Sequence, residues 1–193
     1  QITIGASYYN PQNYPEYDFS DQFTSAYTLR AKNSKPSDKL LTDGLVGHWT
    51  FNEGKGLTAY DFSGNDNHGT LIGAPDWSEN RFFEGDRALE FDGIGDYVNA
   101  GSDASLNITD EITLSAWINT NSNNNRQGII NKYDITDNQR SYLLHIDIGS
   151  ADCNLGEFSF VLSGLGTDYN SLCSNTIPII GKWYHVLGLY DGL

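Results

Sequence analysis

The chain has 193 residues, enough for one large sandwich or for one domain and part of another. Its 38% hydrophobic and 13% aromatic content can bury a core, which argues against an intrinsically disordered chain. Eleven basic against twenty-five acidic residues give a formal net charge of −14, which keeps the surface soluble, disfavours nucleic acid and anionic membranes, and makes cations the better charged partners.

The first residues, "QITIGASYY", read as a strand. They lack the basic start and apolar stretch of a signal peptide, so any export signal has been removed or lies outside this chain. "NPQNYPEYDFSDQ" is a loop rich in Pro, Asn and Tyr, and "RAKNSKPSDKLLTDG" is a basic, polar linker. A boundary near residue 43 follows, with an N-terminal segment over 1–43 and a domain over 44–193.

From residue 44 onward, short alternating runs are separated by clusters of Gly, Asn, Asp and Ser, the pattern of an antiparallel all-β sandwich. The runs are "GLVGHWTF" (44–51), "GTLI" (69–72), "RALEFDG" (87–93), "DYVNAG" (96–101), "EITLSAWINT" (111–120), "GIINKYD" (128–134), "SYLLHIDI" (141–148), "EFSFVLSG" (157–164) and "GKWYHVLGLYDG" (181–192). No segment sustains a helical period, and no run of eighteen apolar residues suggests a membrane span. In "RALEF", Leu89 and Phe91 are expected in the core. In "EITLSAWINT", Ile112, Leu114, Ala116 and Ile118 share one face, so Trp117 is expected to leave the core with Thr113, Ser115 and Asn119. The last run ends in Asp191-Gly192, a hairpin signal with no return strand after it.

Cys153 and Cys173 lie twenty residues apart in a polar stretch. A disulfide is favoured over free thiols, because two isolated cysteines make a poor metal site, and it points to an oxidising compartment. Asn107-Ile108-Thr109 is a glycosylation sequon in hosts with that machinery.

"GLVGHWTFNEGKGLTAYDFSGNDNHGTL", followed by "ALEFDGIGDYVNAG", "EITLSAWI" and "GKWYHVLGLYDG", resembles the laminin G-like, concanavalin-like jelly-roll family of secreted modular proteins. The resemblance covers 44–193 and implies a two-sheet jelly roll outside the cell. It also implies a structural Ca²⁺ near "DFSGNDNHG", with Asp61, Asn65, Asp66 and Asn67 as ligand candidates. Physically, this loop gathers side-chain and backbone oxygens of the type that hard cations take, although an Asx-turn loop holding its own hydrogen bonds explains the same composition. Asp92 and Asp96 flank a Gly-Ile-Gly turn, where turn chemistry is the main reading and a calcium role for Asp92 the second. The front segment resembles the C-terminal end of such a module, which departs from the family's order. A tandem-array fragment, a circular permutation and strand exchange between neighbouring chains all remain open.

Concanavalin-like folds include glycan-cleaving enzymes. Glu90 and Asp92 share a face, but Gly95 stands where related lytic enzymes carry a further carboxylate, and neither an HExxH nor a Gly-x-Ser-x-Gly pattern occurs. A non-catalytic module is therefore expected, binding a glycan or an extracellular protein. Trp77, Trp117, Tyr133 and Tyr169 are its candidate platforms, since sugar C–H faces stack on aromatic rings; loop packing is the competing explanation. The second functional expectation is a structural subunit that self-associates into an extracellular filament or surface assembly by strand exchange.

Overall fold

A computed structural model describes residues 2–8, 44–79, 87–134 and 139–192. These residues form β1 (Ile2–Tyr8), β2 (Thr58–Ala59), β3 (Gly69–Ile72), β4 (Asp76–Glu79), β5 (Arg87–Glu90) and β6 (Tyr97–Asn99). After a 3-10 turn at Ala104–Leu106 come β7 (Ile112–Asn119), β8 (Gln127–Asp134), β9 (Gln139–Ile148), β10 (Leu155–Leu162), β11 (Asn170–Cys173) and β12 (Trp183–Tyr190). Every ladder is antiparallel. The chain divides into two compact units, Gln1–Asn10 with Ile108–Leu193, and Pro11–Asn107. The loop read over residues 10–22 and the linker read over residues 30–44, its final Gly44 excepted, lie outside the described residues.

The first unit is a two-sheet sandwich, with strand orders β1-β12-β7 and β11-β10-β9-β8. Alternation turns Ile112 and Leu114 of β7 and Tyr184 and Val186 of β12 inward. They meet Tyr142, Leu144 and Ile146 of β9 and Phe158 and Phe160 of β10 in one buried cluster. Each such side chain contributes about 1.5–3 kcal/mol through lost apolar surface. Gly188 continues the inward phase of β12 without a side chain, because Phe160 occupies the space; a Cβ there would lie 2.6 Å from Phe160 Cγ.

β12 has neighbours on both sides. β7 pairs with it from Ile112 opposite Tyr190 to Asn119 opposite Trp183. On the other side β1 pairs with it from Ile2 opposite Tyr190 to Tyr8 opposite Tyr184. The front of the chain thus supplies a strand to the sheet formed by its last residues. In the second sheet, β10 is buried on both faces: Glu157, Ser159 and Val161 are covered as fully as the core-facing phenylalanines. The Cys153–Cys173 disulfide, with Cα atoms 5.5 Å apart, fastens the loop after β9 to β11. Closing a loop of this length stabilises by about 3 kcal/mol on chain-entropy grounds.

The second unit carries sheets β2-β3-β6 and β4-β5, with Ala59, Leu71, Ala88 and Leu106 buried. Two expectations fail here. "GLVGHWTF" forms no strand; Trp49 makes a single bridge to Asp61, and Phe51 takes a left-handed backbone at φ 54°. The segment is tied down by side-chain bonds instead of a ladder, since Asp61 accepts the His48 N–H and the Trp49 indole donates to the Asn67 carbonyl. The inward residue of β5 is Ala88, while Leu89 is only partly buried and Phe91 is 45% exposed. β5 pairs with β4 so that Leu89 stands opposite Trp77 and Ala88 opposite Ser78, which shifts the buried phase by one residue.

Candidate functional site

In the loop after the Trp49–Asp61 bridge, Asp61 is buried and its carboxylate is the hub. Oδ1 accepts the N–H groups of His48 at 2.8 Å and Ser63 at 2.9 Å, and Oδ2 accepts the Ser63 hydroxyl at 2.7 Å and the Asn67 N–H at 3.0 Å. Burial pushes the Asp61 carboxyl up, but these four donors outweigh it and hold it below the usual carboxylate range. Asn65 donates to the Leu45 carbonyl and the Ser63 hydroxyl, and Asn67 to the Val46 carbonyl and the Ser105 hydroxyl. Asp66 points outward, its side chain 90% exposed and 3.8 Å from His68. A carboxylate offers about four lone-pair sites, and Asp61 has committed all of them, so this loop does not fit a calcium ion through Asp61.

Asp92 belongs to a different group. It lines a cavity of about 240 Å³ with Asp76, Glu90, Asp96, Gly73 and Ala74. Asp92 Oδ1 accepts the Ile94 N–H at 2.6 Å and Asp96 Oδ2 accepts the Asp92 N–H at 3.1 Å, which is the expected turn chemistry. Asp96 Oδ1 is buried without a hydrogen-bond partner. Gly73, at φ 87°, lets the Asp96 carboxylate pack against its backbone; a Cβ there would lie 2.2 Å from Asp96 Oδ1 and 2.7 Å from the Gly95 carbonyl. An orphaned, buried carboxylate oxygen beside other acids fits a hard cation better than the saturated Asp61 does. Among the described residues, no three His, Cys, Asp or Glu side chains converge as a ready metal cage, so backbone oxygens and water would have to complete any coordination.

The four aromatic candidates do not form one group. Trp77 is half-buried, and its indole donates to the Gly56 carbonyl at 3.1 Å, a loop-packing contact. Trp117 is directed to the outer face of β7, opposite His185 of β12, and the two rings stack with centroids 5.0 Å apart at 30°. His185 Nε2 lies 2.6 Å from Ser115 Oγ, and burial lowers the pKa of this imidazole. Aromatic surface and hydroxyl and amide groups of Thr113, Ser115 and Asn119 therefore share one sheet face. Tyr133 and Tyr169 do come near each other. Burial raises the pKa of the Tyr133 hydroxyl, with Arg140 opposing, Tyr169 adding to the rise and Arg126 opposing.

Sequence reading missed a buried polar group on the far side of β9 and β10. His145 is 2% exposed, and neither ring nitrogen has a hydrogen-bond partner; Asp147 Oδ2 lies 3.6 Å away. Asp147 Oδ1 accepts the N–H groups of Gly149 and Ser150, and Glu157 accepts both the N–H and the amide of Asn154, so the two carboxylates hold the two ends of the disulfide loop. His-x-Asp on a strand shows that the two side chains share a face. Nothing in the spacing shows that this face is covered.

Antiparallel sheets packed face to face around an aliphatic and aromatic core, with aromatic and polar groups on their outer faces, define a β-sandwich module of concanavalin-like type. A laminin G family model, described as the concanavalin A-like lectin/glucanases superfamily, matches residues 92–193, more than half of the chain, and the chain belongs to that family. No curated protein and no solved structure matches it. Membership suggests a carbohydrate-binding or similar module, in a superfamily that also contains glucanases.

Proposed function

We propose that the chain is a non-catalytic extracellular module that binds carbohydrate, or an adhesive partner displaying it. The observation that carries this reading is the Trp117–His185 stack on the outer face of the β1-β12-β7 sheet, with Ser115 bonded to the imidazole. A sugar ring is bound by the same combination, an aromatic plane for its C–H face and fixed polar groups for its hydroxyls. The disulfide supports an oxidising, extracellular setting. Titration of neutral oligosaccharides by calorimetry tests the reading. Trp117→Ala is expected to weaken binding by about tenfold or more while the melting temperature stays near that of the native chain. Unchanged affinity in the folded variant removes Trp117 from the site.

A structural calcium is the second part of the proposal. Support for it comes from the cavity lined by Asp76, Glu90, Asp92 and Asp96, where Asp96 Oδ1 is the buried oxygen without a partner. Bound there, calcium would neutralise acids on both sides of the 92–96 turn and fix that turn. Chelator is then expected to lower the melting temperature of the native chain, and Asp96→Asn to abolish that response. A melting temperature indifferent to chelator and to added calcium refutes the ion.

A subunit of a self-associating assembly is the alternative, favoured by one observation. β1 makes its ladder with β12 although residues 9–182 separate them in sequence, so the same seven pairs can be formed by β1 of a second copy.

A further inference from the structure

Resting on the glycan-binding reading, we infer that Trp117, His185 and Ser115 gate their sheet face by proton uptake: the neutral imidazole admits an uncharged sugar, and the imidazolium rejects it. Trp117 and His185 are directly opposed on β7 and β12, with ring centroids 5.0 Å apart and ring planes at 30°. His185 Nε2 lies 2.6 Å from Ser115 Oγ, and Ser115, two residues before Trp117, shares its face of β7. The imidazole is thus held by an indole plane and by a hydroxyl, while Thr113 and Asn119 stay exposed on the same face. No other position of that face titrates within the three strands. β7 presents Thr113, Ser115, Trp117 and Asn119, and β12 presents Trp183, Leu187 and Leu189 beside His185. Ser7 of β1 stands opposite His185, with Thr3 and Gly5 in the same register phase. Glu111 and Asp191 lie beyond the strand ends, at the far end of the ladder from His185.

Protonation changes this face in three ways, all of one sign. In the neutral ring Nε2 either accepts from Ser115 or donates to it, whereas in the imidazolium both nitrogens carry hydrogen and Ser115 Oγ can only accept. That commits a lone pair which a sugar hydroxyl would otherwise use. A positive charge against one face of Trp117 also draws on the π density that the C–H face of a sugar needs. Finally, a sugar laid over the half-buried ring takes water from a full charge instead of from a dipole. The attraction of a cation for an indole keeps the stack closed, so the gate alters charge and hydrogen bonding and leaves the sheet intact. Burial lowers the pKa of this imidazole, so the neutral form prevails at neutral pH and the gate works below about pH 6.5.

The test is calorimetric titration of the folded native chain with a neutral trisaccharide in steps of falling pH, beside an NMR titration of the His185 imidazole. Affinity is expected to hold while the ring is neutral and to fall by up to about tenfold for each pH unit below its folded pKa. By reciprocity, saturating trisaccharide is expected to move the NMR midpoint of His185 downward, a shift that a merely structural histidine would not show. His185→Gln, which keeps a polar amide opposite Ser115, is expected to bind at the neutral-pH level throughout. The NMR midpoint needs no variant, so the gate stays testable if that chain fails to fold. Circular dichroism at each pH separates loss of ligand from loss of fold. An affinity unchanged across the range in which His185 titrates, a midpoint that trisaccharide leaves in place, or a ring that does not titrate in the folded chain overturns the gate while the glycan reading stands. A fall in affinity that tracks unfolding, or one retained in folded His185→Gln, overturns it equally. No binding at any pH overturns the glycan reading and the gate together.

Discussion

His145 and Asp61 show how far the setting of a side chain decides its chemistry. The imidazole of His145 is buried between strands with Asp147 and Ser159 on its face, and burial drives its pKa below the ordinary value; Asp147 opposes this and Arg126 adds to it. His185 is shifted in the same direction by burial. A histidine whose folded pKa lies below its unfolded value stabilises the fold fully above about pH 6.5, and this stability is lost as pH falls through the folded value. Asp61, with its folded pKa lowered, contributes stability present above about pH 3.9 and lost as pH falls further. Thermal unfolding is therefore expected to show a first decline in melting temperature below about pH 6.5 and a second below about pH 3.9. A profile flat between pH 8 and about 5 contradicts the histidine assignment. Neither environment is legible in the sequence: "DFSGNDNHG" reads as a loop rich in oxygen atoms, and the composition does not show that four protein donors fill the carboxylate of Asp61.

At the scale of elements, strands with one covered face were the easiest to read. "GTLI" and "EITLSAWINT" alternate clearly, and Trp117 leaves the core because its position is odd relative to Ile112 and Leu114. β2, at two residues, is too short to display a period, and in β4 and β11, four-residue strands of sequence DWSE and NSLC, no apolar alternation marks a buried face. β10 shows burial on both faces, so alternation carries no information about which of its faces is the core. β12 offers a sharp test of the packing account. Gly188→Ala places a methyl group against Phe160 and is expected to destabilise the chain by about 1–3 kcal/mol, read from urea unfolding. A neutral effect there would mean that the two sheets have room to separate.

For the whole molecule, the family and the sandwich were legible because several motifs occur in order, and the front segment reads as resembling the C-terminal end of such a module, but its pairing partner was not legible. Periodicity identifies "ITIGASYY" as a strand but cannot say which sheet it joins; the β1–β12 ladder is a contact between positions far apart in sequence. That ladder also separates the two functional readings. A binding module uses β1 within its own chain, and an assembly subunit gives it to a neighbour. Without residues 1–8, the edge of β12 is uncovered, and a self-contained module is expected to lose stability and begin to associate. The measurement that addresses this most directly is molar mass by light scattering after size exclusion, on the native chain and on the chain lacking residues 1–8. A binding module predicts a native species near 21.4 kDa and larger species only after the deletion. Native polymers that fall to monomers when residues 1–8 are removed would contradict it and establish strand exchange between copies instead.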